Sequence, residues 1–182
     1  MNPDDWKLAV SAEYARRTRD KLVVSGNDFP LIASTIFEEE ILAAVDSVLN
    51  GQLTMSNHVR EFEELFARKI GAPFAVMCNS GSSANLLALS AATNHLRSHR
   101  LSHGDEVLLP AVCWSTSLWP IVQMGLVPVF VDVDPVTMNV DLDDLKSRIT
   151  ERTRAFLAVH VLGNMCDMKT LNSICEDNKL VL

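Results

Sequence analysis

The chain has 182 residues, 48% of them hydrophobic and 21% charged, with a formal net charge of −7 and a pI near 5.1. That suffices for one globular domain with a true core. The acidic balance argues against a nucleic-acid binder, which needs clustered Lys and Arg to release counterions from phosphates. No run of about 18 apolar residues is present to cross a membrane, and the polar start MNPDDWKLAV is unlike a secretory signal, so the default address is the cytoplasm. Cys78, Cys113, Cys166 and Cys175 form no C-x-x-C pair and read as reduced, mostly buried thiols.

Residues 1–27 are polar, with Trp6, Val10 and Tyr14 as a sparse apolar stripe; they read as an arm with room for a short helix. The stretch STIFEEEILAAVDSVLNGQ predicts a helix, with Thr35 and Glu38 as a capping box and Gly51 as the stop. NHVREFEELFARKIGA predicts a second, with Val59, Phe62, Leu65, Phe66 and Ile70 on one side and Gly71 closing it. From residue 73 the pattern alternates. Strand-like runs at 74–78, 105–110, 127–132, 154–161 and 179–182 are separated by helical periodicity at about 82–97, 115–124, 141–149 and 167–178. This rhythm predicts an α/β fold with a mainly parallel sheet and crossover helices. PVFVDV and AFLAVHV are apolar throughout, as strands buried on both faces are. His95, His99 and His103 fall four apart, a metal-ligand spacing on a continuous helix, but the turn at 102–104 ends the helix before His103, and no metal is expected.

The stretch NSGSSAN lies between the strand ending near Cys78 and the helix beginning near Ser82. Amides freed at a helix N-terminus, with the dipole behind them and no Cβ at Gly81, make an anion site, to which Ser82 and Ser83 add hydroxyls. On local chemistry alone an ordinary serine-capped helix is the preferred reading. Neither G-x-G-x-x-G nor G-x-x-x-x-G-K-S/T is present. Trp114 follows the next strand, where a flat ring can cover an aromatic cofactor; the alternative is a core tryptophan, for which Trp119, beside a helix-kinking Pro120, is the better candidate. Asp132 and Asp134 read as turn formers around Pro135 rather than an acid/base pair, and Asp141 as a helix cap. His160 ends a buried strand before a Gly163–Asn164 loop, facing either a ligand or a structural hydrogen bond.

Taken in order, NSGSSANLLAL, HGDEVLLPAVCWSTS, GLVPVFVDVDPVTMNVD and AVHVLGNMCDM resemble the DegT/DnrJ/StrS family of sugar aminotransferases, most closely its 4-keto-6-deoxy-sugar 3-dehydratase branch. The resemblance implies a pyridoxal 5'-phosphate (PLP) enzyme of the aspartate-aminotransferase fold, acting on a nucleotide-linked keto sugar in surface polysaccharide or deoxysugar synthesis, and a homodimer when complete. It implies that Gly81, Ser82 and Ser83 hold the cofactor phosphate, that Trp114 stacks on its ring, and that His160 plays a supporting part. The implied cofactor is PLP or its amine form. Ser56 departs from the glycine common at that point in the family. Residues 28–182 correspond to the N-terminal part of the cofactor domain. The acidic partner of the ring nitrogen and the lysine or histidine of the chemistry lie later in the family, so no catalytic residue is assigned in this chain. An inactive truncated or split product serving as a binding or scaffold subunit is the alternative, and an unrelated phosphate-binding α/β domain a third.

Overall fold

A computed structural model of the chain describes residues 4–18 and 36–182, which divide into two compact units at Met77 and Cys78. The first unit is helical: α1 (Asp5–Thr18), α2 (Glu38–Leu49) and α3 (Asn57–Ile70). In α1, Glu13 pairs with Arg16 and Arg17 one turn on, at 2.7 and 2.6 Å. Helix α2 opens on three glutamates, which suit the positive end of the helix dipole. Phe37 occupies its cap position and donates its N–H to Glu40 Oε2 at 2.8 Å; Thr35, expected as the cap, lies outside the described residues. Gly51 stops α2 with a φ of 68° and donates to the Val48 carbonyl at 3.0 Å. Ser56 is the extended N-cap residue of α3, and Gly71 closes that helix in the left-handed region. Of α3 only Ala67 is buried. Its apolar stripe lies open, with the Phe62 and Phe66 rings stacked at 5.6 Å between centroids.

The strand expected at 74–78 does not form. Phe74 and Val76 are exposed, and Met77 gives its N–H to the Glu63 carboxylate at 2.7 Å instead of a ladder. A strand needs a neighbour to take its backbone groups, and no described segment pairs here.

The second unit begins with α4 (Gly81–Ala92) and then alternates: β1 (Glu106–Pro110), α5 (Ser115–Gln123), β2 (Val127–Val131), α6 (Leu142–Ser147), β3 (Thr153–Phe156) and α7 (Met168–Asp177). The strands form a parallel sheet in the order β2-β1-β3. Because side chains alternate along a strand, β1 feeds two cores. Leu108 joins Val131, Leu145, Phe156, Leu171 and Ile174 on the face covered by α6 and α7. Val107 and Leu109 join Leu89, Ile121 and Ala155 on the face covered by α4 and α5. Glu106 is buried at the start of β1, where its carboxylate accepts from the Thr150 and Thr153 hydroxyls at 2.6 and 3.3 Å and pairs with Arg152. The Thr150 hydroxyl, and behind it the Arg152 charge, hold this carboxyl below its ordinary range against the opposing effect of burial.

Two prolines explain where pairing stops. In β2 the odd-numbered residues bond to β1, so the missing N–H of Pro128 falls on the outer edge, where no donor is needed. Phe130 and Val127 are part-exposed on this edge, so PVFVDV is not buried on both faces as its composition predicts; Val131 alone of β2 is fully buried. Toward β3, Leu157 donates to the Leu108 carbonyl at 2.9 Å, and the next donor due from β1 is residue 110, a proline. The ladder ends there, so β3 stops at Phe156 rather than running to 161. The run at 179–182 contributes a single parallel bridge, with Val181 opposite Ala155, rather than a full strand.

Candidate functional site

Ser80, at the N-cap of α4, has an extended backbone, and its Oγ accepts the Ser83 N–H at 3.2 Å. The same oxygen lies 3.2 Å from Ser83 Oγ, and the Ser80 carbonyl takes the Ala84 N–H at 3.0 Å. The cap therefore claims the third and fourth amides and leaves those of Gly81 and Ser82, the first two, for an outside acceptor. A Cβ added at Gly81 meets nothing within 4 Å, and its φ is not in the left-handed region, so the chain's own packing makes no demand for glycine there. Sequence reasoning named Gly81, Ser82 and Ser83 but passed over Ser80, although a serine directly before an apolar helical run is the ordinary cap signal.

A second helix start stands beside the first. Asn85, on the second turn of α4, donates Nδ2–H to the carbonyl of Thr116 on the first turn of α5 at 3.2 Å. Between the two helices lies a cleft of about 280 Å³ lined by Ser82, Ser83, Thr116 and Gln123 with Leu86, Trp119 and Pro120. It contains hydroxyls and no carboxylate, so nothing on its walls repels an anion. Trp119 is 55% exposed, so it is not the core tryptophan the sequence suggested; Pro120, not the indole, is buried, and the helix runs on to Gln123. Trp114 is the N-cap residue of α5, just past the carboxyl end of β1, and at 76% exposed it is not a core tryptophan. The chain leaves β1 across one face to reach β2, then crosses the other face to reach β3, so a topological switch point lies at the carboxyl end of β1, where ligands bind in open α/β sheets.

His160 lies beyond the strand it was expected to end, exposed, at the entry to a 3₁₀ turn (Val161–Gly163). Its Nδ1 accepts the Cys166 N–H at 3.3 Å, which in the neutral ring puts the proton on Nε2. The structure thus brings Ser82 and Ser83 together with Thr116 and Trp119; Trp114 and His160 lie outside the lining of that cleft.

Comparison with known proteins identifies the family. A match to the DegT/DnrJ/EryC1/StrS aminotransferase family extends over residues 35–182. The chain belongs to that family. Among relatives of this DegT/DnrJ/EryC1/StrS chain, a GDP-4-keto-6-deoxy-D-mannose 3-dehydratase of Yersinia pseudotuberculosis is 43% identical over 155 residues, 85% of this chain and 39% of the relative. A dTDP-4-dehydro-2,6-dideoxy-D-glucose 3-dehydratase of Saccharopolyspora spinosa is 41% identical over 187 residues, covering 100% of this chain and 40% of the relative. The solved E. coli GDP-4-keto-6-deoxy-D-mannose-3-dehydratase with bound hydrated PLP superimposes with a TM-score of 0.76 at 40% identity, over 84% of this chain and 39% of that one. The chain spans about two-fifths of the length of the curated relatives it matches.

Several other polar groups of this DegT/DnrJ/EryC1/StrS chain serve turns and helix caps. Asp134 accepts from the Val136 and Thr137 amides and the Thr137 hydroxyl, contacts led by Thr137 that hold its carboxyl below the usual range. Asp141 caps α6 through the Asp143 and Asp144 amides, as its position predicts. Cys166 and Cys175 are buried and Cys78 and Cys113 partly so, all four free. Helix α4 ends at Ala92, so the four-residue spacing of His95, His99 and His103 is not helical. Among the described residues no group of three or more His, Cys, Asp or Glu side chains is placed to hold a metal, and no helix is long and apolar enough to cross a membrane.

Proposed function

We propose that this chain supplies the phosphate-holding part of a PLP-dependent enzyme that modifies nucleotide-linked 4-keto-6-deoxy sugars. The observation that carries the reading is the pair of amides at Gly81 and Ser82 that the Ser80 cap leaves unclaimed, at a glycine the fold itself does not require. The donor set fits a phosphate: two amides on a helix dipole, the Ser82 and Ser83 hydroxyls, and no acid in the adjoining cleft. Trp114 offers an exposed flat face to orient the ring and keep water from it, and His160 offers its Nε2–H in a supporting part. When bound, PLP supplies an electron sink for carbanion chemistry.

Between amination and C3 deoxygenation, the reading favours the latter, because the relatives at 43% and 41% identity are named 3-dehydratases. A homodimer and a cytoplasmic address belong to the same reading and rest on the family resemblance. The test is an absorbance titration with PLP of the protein alone and mixed with the segment of the Yersinia pseudotuberculosis relative that lies beyond the match. A protein-bound cofactor band in the mixture, competed by inorganic phosphate and weakened about tenfold by Ser83→Ala, is expected. A band indifferent to phosphate and to Ser83→Ala would remove the serine turn from the site; no band in either sample would leave the chain a binding or scaffold subunit.

A further inference from the structure

Pro120 sits inside α5, where a proline has no N–H to give the carbonyl four residues back. That carbonyl belongs to Thr116, and it accepts the Nδ2–H of Asn85 instead. Both partners are half-buried, and a half-buried carbonyl without a donor is costly, so the exchange has a physical reason. Its geometric result matters more. The bond ties the second turn of α4 to the first turn of α5, and these two helices together line the cleft through Ser82, Ser83 and Thr116.

We infer that Asn85 is a positioning residue for the phosphate cup: through the carbonyl that Pro120 leaves without an amide partner, it fixes the direction in which the Gly81 and Ser82 amides point. Asn85 itself touches no ligand. The inference rests on the serine turn being the phosphate site, and it adds a dependence that no feature of the serine turn contains. Asn85 matters only while residue 120 is a proline. An alanine there supplies an N–H that returns the Thr116 carbonyl to the helix ladder and makes the side-chain bond redundant.

The experiment is a four-protein cycle of the parent, Asn85→Leu, Pro120→Ala and the double variant, with inorganic phosphate as the probe and all four held well below their melting temperatures. Asn85→Leu is expected to weaken phosphate about tenfold in the parent background and less than twofold in the Pro120→Ala background. Equal losses in both backgrounds, or none in either, overturn the inference. A second readout does not depend on binding: in amide NMR spectra, Asn85→Leu moves the Gly81 and Ser82 resonances with Pro120 present and leaves them in place once Pro120→Ala has been made. If the parent binds no phosphate, the serine-turn site is lost, and still resonances at Gly81 and Ser82 then dispose of the positioning role as well. If Asn85→Leu does not fold, Pro120→Ala alone decides, since it must shift the Asn85 side-chain amide signals, and unshifted signals refute the exchange.

Discussion

Phe62, Leu65, Phe66 and Ile70 on α3 are between 46% and 57% exposed, whereas Val107, Leu108 and Leu109 on β1 are 0% exposed. The two segments carry side chains of similar apolarity. What separates them is what stands opposite: β1 has a strand on each side and helices over both faces, while the first unit holds Ala67 as the one buried residue of its α2 and α3 helices. Periodicity states which face of a helix is apolar; burial depends on a second element arriving to cover it.

The largest effect that can break this contrast is at Leu108. Leu108→Ala empties a fully buried site between strands and helices and is expected to cost about 3 kcal/mol in chemical denaturation. A cost under about 1 kcal/mol would mean that the sheet relaxes into the gap and that its burial is not the main source of stability. Thr150→Val sharpens the same contrast by removing the 2.6 Å hydrogen bond to buried Glu106, at about 1 to 2 kcal/mol near pH 7. Its pH dependence has a definite sign. The Glu106 carboxyl is depressed below its ordinary value of 4.5, so the stabilisation is complete above that value and is lost as pH falls through the lower folded one. Denaturation curves of parent and variant should therefore converge on acidification from about pH 5 downward, and a gap that stays constant there would assign the loss to packing. Asp141→Ala removes the cap of α6 and should cost about 1 kcal/mol, read as a small fall in the melting temperature. Phe66→Ser, on the open stripe, should lie within about 0.5 kcal/mol of the parent. A loss there approaching that of Leu108→Ala would show that α3 is covered in solution.

The same contrast explains what the sequence discloses and what it withholds. Helix ends are local: Gly71, Asp141 and the Gly51 stop are each legible because cap and helix are adjacent in the chain. Strand ends are not. The 74–78 run has the right composition and no pairing neighbour among the described residues, and the end of β3 is set by Pro110, a residue of another strand. His160 was expected at the end of that strand for this reason and lies instead at a turn. At the candidate site, Gly81, Ser82 and Ser83 are legible from helix-cap chemistry. Asn85 is not, since nothing in NLLAL says that its amide meets a carbonyl 31 residues later, left free by a proline four positions beyond that. Trp119 was assigned to the core from its helical setting, but which side of α5 meets the sheet is decided by Ser117, Pro120 and Ile121.

Strand β1 sits in the middle of the sheet yet is the first of the three to be synthesised. Its partner β2 follows soon after, but β3 pairs with it from 47 residues away, and α7 completes the second layer only at Cys175. From Glu106 to Cys175 is roughly 70 residues, or about 4 to 14 s of translation, during which the apolar centre of the nascent chain lacks its full cover. For that interval Val107–Leu109 is a sticky segment waiting for its neighbours, and the cost of this architecture falls on the speed of folding and the need for chaperone shelter rather than on the stability of the finished sheet.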